Sequence, residues 1–188
     1  MLEQTRDRLL KLFRERAFSF GQFTLKSGKK SSYYINSKKA LFHSEAISLL
    51  AEVFWHMTKD LELQAIGGPE VGAIPIATAL AQKYHQEGRD IEGFFVRKQL
   101  KEHGSKEWIE GVLQPGWKVG LVEDVLTTGG SAMHAIEKVE KAGAQVVAVL
   151  GIVDRLEGAR QKLEGKYQYL PIFDIRDFGI EPPTESAE

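Results

Sequence analysis

The chain has 188 residues, of which 25 are Lys or Arg, 26 are Asp or Glu and 43% are hydrophobic, and its formal net charge at pH 7 is −1. This length predicts a single domain, residues 1–188, with a sizeable core, and the near-zero charge argues against a nucleic-acid partner. The sequence has no cysteine, which excludes disulfides and thiolate chemistry, and no apolar run approaches the ~20 residues that span a bilayer. We therefore expect a cytoplasmic protein without a membrane partner.

The first 40 residues predict a helix followed by a flap. Apolar residues recur at helical spacing among charges over residues 2–17, which predicts an amphipathic surface helix. Glycine and serine then interrupt short aromatic and β-branched runs over residues 18–36, as in a hairpin or an extended flap. The next apolar stripe predicts a second helix that begins at Ser44, as its N-cap, and ends near Lys59.

The rest of the chain alternates short apolar strands with helices. Strands are predicted at 65–67, 93–96, 119–122, 145–153 and 169–173, and helices at 72–86, 131–141 and 157–163. Such alternation is typical of an α/β protein with a central parallel sheet flanked by helices, which binds ligands at the carboxyl ends of its strands. Residues 98–114 are polar, without evident regular structure, and long for a connection, which predicts either a functional lid or a disordered segment. Residues 181–188 predict a frayed tail.

The most informative segment is VGLVEDVLTTGGS at residues 119–131. An apolar strand leads to two adjacent acids, Glu123 and Asp124, and a turn rich in Thr, Gly and Ser then enters a helix. The amides and hydroxyls of residues 128–131 suit a phosphate, and two glycines let the backbone approach it. Because carboxylates repel phosphate, the acids suit the vicinal hydroxyls of a sugar, or a Mg²⁺ shared with them. This combination predicts a ribose-5-phosphate site; the alternative is a buried strand and a capped helix with two solvated acids.

This segment resembles the phosphoribosyl pyrophosphate (PRPP) signature of type I phosphoribosyltransferases. The resemblance extends, over nearly the whole chain, to the orotate phosphoribosyltransferase family. It implies the type I fold with an N-terminal helix and hood, and transfer of ribose-5-phosphate from PRPP to orotate with Mg²⁺. The products are orotidine 5′-monophosphate and pyrophosphate, a step of pyrimidine (UMP) biosynthesis. The segments that carry this resemblance are FTLKSGK at 23–29, YYIN at 33–36, GGP at 67–69, VRK at 96–98 and VDR at 153–155.

The resemblance also implies roles for individual residues. By the resemblance, residues 98–114 form a mobile catalytic loop whose basic side chains act in the active site of the neighbouring subunit. A homodimer is therefore expected. Mg²⁺ is held mainly by PRPP, with Asp124 as the one candidate protein ligand. The catalytic residues are Lys101, His103 and Asp124. PRPP is bound by Arg97, Lys98, Lys101, His103, Glu123, Asp124, Val125, Leu126, Thr127, Thr128, Gly129, Gly130 and Ser131. Orotate is bound by Lys26, Tyr34, Thr128 and Arg155.

Two positions depart from the family pattern. Ile35 stands where many members carry an aromatic residue against the base, and it cannot stack, whereas Tyr34 can. Gly72 stands where some bacterial members carry a lysine. Because that lysine is absent, Arg97, Lys98 and the metal are expected to neutralise a larger share of the charge on the leaving group.

Two other functions stay open at this point. One is a purine phosphoribosyltransferase, because the PRPP signature does not select the base. The other is a non-catalytic regulator that senses PRPP or nucleotides. Arg155 and Lys26 favour an anionic pyrimidine over a purine, and the bases of the 98–114 loop favour an enzyme over a sensor.

Overall fold

The computed structural model describes residues 1–24, 28, 30–100 and 107–182. Lys26, Lys101 and His103, three of the predicted site residues, lie outside the described residues. The elements, in chain order, are α1 Leu2–Ala17, β1 Phe18–Thr24, β2 Lys30–Ile35, α2 Lys38–Leu41, α3 Ser44–Thr58, β3 Ala65–Pro69, α4 Ala73–Gln86, β4 Glu92–Val96, β5 Ile109–Gly111, β6 Lys118–Leu126, α5 Gly130–Lys141, β7 Gln145–Asp154, α6 Ala159–Leu163, β8 Gln168–Asp174 and a 3₁₀ helix Ile175–Phe178.

Six strands form the central sheet in the order β5-β4-β3-β6-β7-β8. Every neighbouring pair is parallel except β4 and β5, so the predicted α/β fold with a central parallel sheet is confirmed. The carboxyl ends of the central strands β3, β6 and β7 therefore lie side by side at one edge. This is the edge at which such sheets bind ligands.

Apolar side chains cover both faces of the sheet. One cluster joins α1, α3 and α4 to the sheet and includes Phe13, Phe54 and Leu80, all buried. The other lies under α5 and includes Leu121 and Val139. Each large side chain buried in this way contributes about 1.5–3 kcal/mol, so the layers hold the site edge rigidly.

The hood is the antiparallel hairpin β1–β2, as the hairpin prediction for residues 18–36 expected. Its base is closed by the hydrogen bond that the amide of Asn36 donates to the carbonyl of Ala17, at 2.8 Å. The ring of Phe18 stacks on Phe178 with centroids 4.2 Å apart. The hood is thus attached to the end of the chain that follows β8.

Three local predictions were wrong. Ser44 is the first residue of α3 and not its N-cap, because the Nδ1 atom of His43 accepts the hydrogen bond from the amide of Ala46 instead. The segment 98–114 is not free of regular structure, because β5 pairs with β4 inside it. Strand β6 runs four residues beyond its predicted end, so both acids lie within the strand.

None of the helices in the described ranges has both the length and the apolar character needed to cross a membrane.

Candidate active site

The turn between β6 and α5 forms the centre of the site. Gly129 adopts a left-handed conformation, with φ of 76°, immediately before α5. A Cβ atom on this residue would lie 3.3 Å from the Cα atom of Ala159 at the start of α6. Glycine therefore satisfies both the backbone angle and the close approach of α6.

Helix α6 fixes the direction of the peptide groups in this turn. The carbonyl of Thr127 accepts a hydrogen bond from the amide of Ala159 at 2.9 Å, and the carbonyl of Thr128 accepts one from Lys162 Nζ at 2.7 Å. In a planar trans peptide the N–H points opposite to the C=O. The amides of Thr128 and Gly129 therefore point away from α6, and within the described chain they donate to no other group.

Gly129, Gly130 and Ser131 of this turn line a small pocket. The first amides of a helix have no intrahelical acceptor, so α5 adds its own N–H groups and dipole to the same place. Such a concavity attracts an anion and suits a phosphate. Every lining residue except Ala132 belongs to the predicted PRPP set, and the lining consists of Glu123, Val125, Leu126, Thr127, Gly129, Gly130, Ser131 and Ala132.

The two adjacent acids of β6 differ in their environments. Glu123 is 9% exposed, and burial, together with the neighbouring Asp124 carboxylate, raises its pKa to about 9. It is therefore protonated at neutral pH and offers a hydroxyl donor rather than a negative charge. Asp124 is more exposed, at 14% for its side chain. Asp124 is the better of the two to accept hydrogen bonds from a sugar diol.

The carboxylate of Asp124 is held by residues at the start of α2 and by its own strand. Its Oδ2 atom accepts a hydrogen bond from Ser37 Oγ and lies 3.7 Å from Lys38 Nζ, and its Oδ1 atom accepts one from the amide of Val125 at 3.0 Å. A Cβ atom on Gly72 would lie only 2.4–2.6 Å from the carboxyl atoms. Any side chain at position 72 would therefore displace Asp124, which gives the glycine at this departure from the family pattern a physical reason.

Arg97 and Lys98 stand at the end of β4, close to this site. The guanidinium of Arg97 donates to Glu110 Oε1 from Nε at 3.0 Å and from Nη2 at 2.9 Å, and its Nη1 lies 3.8 Å from Glu70. The amide of Lys98 donates to the other carboxylate oxygen of Glu70 at 3.0 Å. An anion that binds to Arg97 must therefore compete with two carboxylates.

Arg155 directly follows β7 and reaches the hood. Its Nε atom donates to the hydroxyl of Tyr33 at 3.0 Å, and its Nη2 atom lies 2.7 Å from Glu157 Oε1. The guanidinium also lies 4.9 Å from the centroid of the Tyr33 ring. Its neighbour Asp154 is fully buried and pairs with Arg160 at 3.6 Å. Arg155 thus pairs with Glu157 and not with its neighbour Asp154.

Tyr34 lies on the opposite side of β2 from Tyr33. Successive residues of a strand point to opposite faces, and Tyr34 is 48% exposed with its ring 5.9 Å from that of Phe23. Ile35 is partly buried and packs against the core. The structure thus brings Tyr33, and not Tyr34, to Arg155.

Sequence reasoning missed several residues that shape this site. Tyr33 could have been found from the alternation of β2, because a buried position there faces the sheet edge. Ser37 and Lys38 follow the recognised YYIN segment, but only the tertiary structure places them at Asp124. Lys162 has no local signal, because it contacts Thr128 across 34 positions of sequence.

Known proteins are similar to this chain over most of its length. The family model of the phosphoribosyl transferase domain matches residues 40–186, which include the β6–α5 turn. An orotate phosphoribosyltransferase of Bradyrhizobium diazoefficiens is 50% identical over 159 residues, covering 82% of this chain and 85% of that protein. One of Thermococcus kodakarensis is 40% identical over 179 residues, covering 94% of each.

Solved structures of orotate phosphoribosyltransferases are also similar to this chain. The crystal structure of Mycobacterium tuberculosis orotate phosphoribosyltransferase in complex with PRPP is 33% identical, has a TM-score of 0.79, and matches 94% of this chain and 99% of that one. An adenine phosphoribosyltransferase of Rhodothermus marinus is 19% identical with a TM-score of 0.65, so it shares the fold alone. The chain belongs to the orotate phosphoribosyltransferase family, whose members are glycosyltransferases.

Proposed function

We propose that this chain transfers ribose-5-phosphate from PRPP to N1 of orotate, giving orotidine 5′-monophosphate and pyrophosphate in pyrimidine biosynthesis. The observation that carries the proposal is the β6–α5 turn, whose carbonyls at Thr127 and Thr128 are held by α6, so that the amides of Thr128 and Gly129 point away from that helix. The turn lines a small pocket that begins at Glu123, the residue before Asp124. The amides would bind the 5′-phosphate, and Asp124 would accept hydrogen bonds from the ribose hydroxyls.

The reaction needs positioning and charge more than covalent chemistry. Positive charge develops at C1 of the ribose while pyrophosphate leaves, so cations near the leaving group and a carboxylate near the sugar stabilise the transition state. Asp124 supplies the carboxylate. Lys98, Lys101 and His103 would supply cations from the loop, as the resemblance implies for the two that lie outside the described residues.

The Asp124 carboxylate fits a Mg²⁺ that PRPP carries. Mg²⁺ usually binds through one or two carboxylates together with substrate phosphates. Within the described ranges no three His, Cys, Asp or Glu side chains form a group able to hold a metal alone. Glu123, with its raised pKa, is a poor ligand, so Asp124 is the candidate protein ligand. When bound, the ion would neutralise charge on the pyrophosphate.

The direct experiment mixes the purified protein with MgCl₂, PRPP and one base at a time: orotate, uracil, adenine, hypoxanthine or guanine. The proposal expects the absorbance of orotate to fall and pyrophosphate to appear with orotate only. Consumption of a purine would favour a purine phosphoribosyltransferase. Binding of PRPP with no base consumed would favour a sensor.

Lys101 is proposed to act on the leaving group. Replacing Lys101 with Ala should lower kcat by roughly 100-fold, while the Kd for PRPP changes by less than about threefold, because the lost charge matters most in the transition state. Steady-state kinetics and calorimetric titration with PRPP separate these quantities. Equal turnover in the two proteins would refute the role.

We further propose a homodimer in which Lys101 and His103 serve the neighbouring subunit. Mixing Lys101→Ala with Asp124→Asn protein tests this sharing. If subunits exchange at random, hybrid dimers carry one intact site each, and activity recovers to about a quarter of the wild-type value. If each chain completes its own site, the mixture stays as inactive as its parts.

A further inference from the structure

Tyr33 is a buried hood residue that the proposed reaction leaves without a role. Tyr33 is only 7% exposed and belongs to the core, yet its hydroxyl faces Arg155. The two residues are 122 positions apart in the sequence. The phenol oxygen accepts a hydrogen bond from Arg155 Nε at 3.0 Å, while the ring lies under the guanidinium. A buried hydroxyl directed at a site residue needs a physical explanation.

The contacts of Arg155 fix the plane of its guanidinium. Nε donates to the Tyr33 hydroxyl, and Nη2 pairs with Glu157 at 2.7 Å. Two partners on different nitrogen atoms, together with the ring below, stop rotation about the terminal bonds of the side chain. A guanidinium has five N–H donors in one plane, so donors remain for a planar ligand such as a carboxylate.

Tyr33 is itself held firmly. Its ring stacks with Phe18 at a centroid distance of 6.3 Å, and Phe18 stacks on Phe178. Its carbonyl accepts a hydrogen bond from Ser31 Oγ at 2.7 Å. The phenol oxygen therefore has a fixed place, which a flexible residue on the same strand would not provide.

We propose that Tyr33 is a positioning residue for base recognition: its hydroxyl holds Arg155 in the plane from which that residue donates paired hydrogen bonds to a planar anionic base. The inference rests on the proposed function and on the role in orotate binding that the family resemblance implies for Arg155. It assigns the hood strand a part in substrate specificity through Tyr33, distinct from any contact that Tyr34 makes with the base.

The test is Tyr33→Phe, which removes the hydroxyl and keeps the ring. Tyr84→Phe is the matched control, because Tyr84 is also buried and its hydroxyl donates a hydrogen bond, to Thr58 at 2.9 Å, within the core. We expect Tyr33→Phe to raise the KM for orotate about tenfold, with kcat and the KM for PRPP within about twofold of wild type. Tyr84→Phe should leave all three unchanged, and both variants should melt at similar temperatures.

A double-mutant cycle separates positioning from packing. In an Arg155→Lys background the Nε donor is absent, so adding Tyr33→Phe should not raise the KM for orotate further. The inference is overturned if the two changes multiply, if Tyr33→Phe leaves the KM for orotate unchanged, or if Tyr33→Phe melts far below Tyr84→Phe and loses PRPP binding as well. Failure of the wild type to consume orotate would instead overturn the proposed function.

Discussion

The phosphate turn and the base corner, defined as Tyr33, Arg155 and Glu157, are built in opposite ways. The turn occupies residues 127–131, is proposed to bind phosphate through backbone amides, and is supported from behind by α6. The base corner joins side chains from β2 and from the loop after β7, which are far apart in sequence. A site made of adjacent amides can be recognised in a sequence, whereas a site made of side chains from distant elements depends on the fold.

The comparison predicts different sensitivities. The turn should tolerate changes of side chain but not changes that move its peptide groups. The base corner should respond to the loss of single side-chain atoms. Asp124 belongs to neither region and should give the largest effect of all.

Replacing Asp124 with Asn should lower kcat/KM for PRPP by at least about 100-fold, because a charged acceptor for the ribose hydroxyls is lost at a mostly buried position. Steady-state kinetics with varied PRPP provides the measurement. The matched control is Asp90→Asn, which changes an exposed aspartate paired only with His85 among the described residues, and should keep full activity. Activity of Asp124→Asn close to that of the control would contradict the assignment.

Replacing Arg155 with Lys should raise the KM for orotate by roughly 30-fold, because an ammonium cannot donate paired, coplanar hydrogen bonds. The KM for PRPP should stay near the wild-type value. A raised KM for orotate with an unchanged KM for PRPP would show that the base corner and the phosphate turn act separately. An unchanged KM for orotate would remove Arg155 from the base corner.

Replacing Lys162 with Met should raise the KM for PRPP about fivefold, because the Thr128 carbonyl loses its charged donor and the turn gains freedom. The KM for orotate should not change. Lys141→Met, at the far end of α5, is the control, since Lys141 pairs with Glu137 at the surface. Identical kinetics in Lys162→Met and wild type would show that α6 does not hold the turn.

The smallest effect is on stability. Burial raises the pKa of Glu123 from its ordinary 4.5 to about 9, so the folded protein keeps a proton that the unfolded chain releases. This contribution is fully present below pH 4.5 and is lost as the pH rises toward 9. Relative to Glu123→Gln, the wild type should therefore lose stability by up to about 1.4 kcal/mol per pH unit across that range.

Denaturant unfolding without PRPP or Mg²⁺, at about pH 5 and about pH 8, measures this difference. Glu62→Gln is the control, because its exposed carboxyl has a pKa below the ordinary value and stays ionised at both pH values. A difference between wild type and Glu123→Gln that does not change with pH would show that Glu123 ionises normally.

The fold and the phosphate turn were largely predictable from the sequence. The alternation of apolar strands and helices predicts the parallel sheet. The two glycines of the turn indicate a backbone that comes close to another element and takes a positive φ, as Gly129 does beside α6. These features depend on residues that are near one another in the chain. Their sequence patterns can therefore be recognised without knowledge of the tertiary structure.

Other features depend on contacts that no local pattern encodes. Strand β5 is only three residues long and lies in a polar segment, where pairing with β4 and the Arg97–Glu110 ion pair favour it. Burial keeps Glu123 neutral, and the sequence does not show which of the adjacent residues Glu123 and Asp124 is the more buried. Arg155 was recognised from the sequence, but its partners Tyr33 and Glu157 were not.

A crystal structure of this protein with orotidine 5′-monophosphate tests the central claim most directly, because the nucleotide must reach both regions at once. We expect the 5′-phosphate within hydrogen-bond distance of the amides of Thr128 and Gly129, Asp124 at the ribose hydroxyls, and the base carboxylate at Arg155. A phosphate bound away from the β6–α5 turn, with that turn left unoccupied, would contradict it.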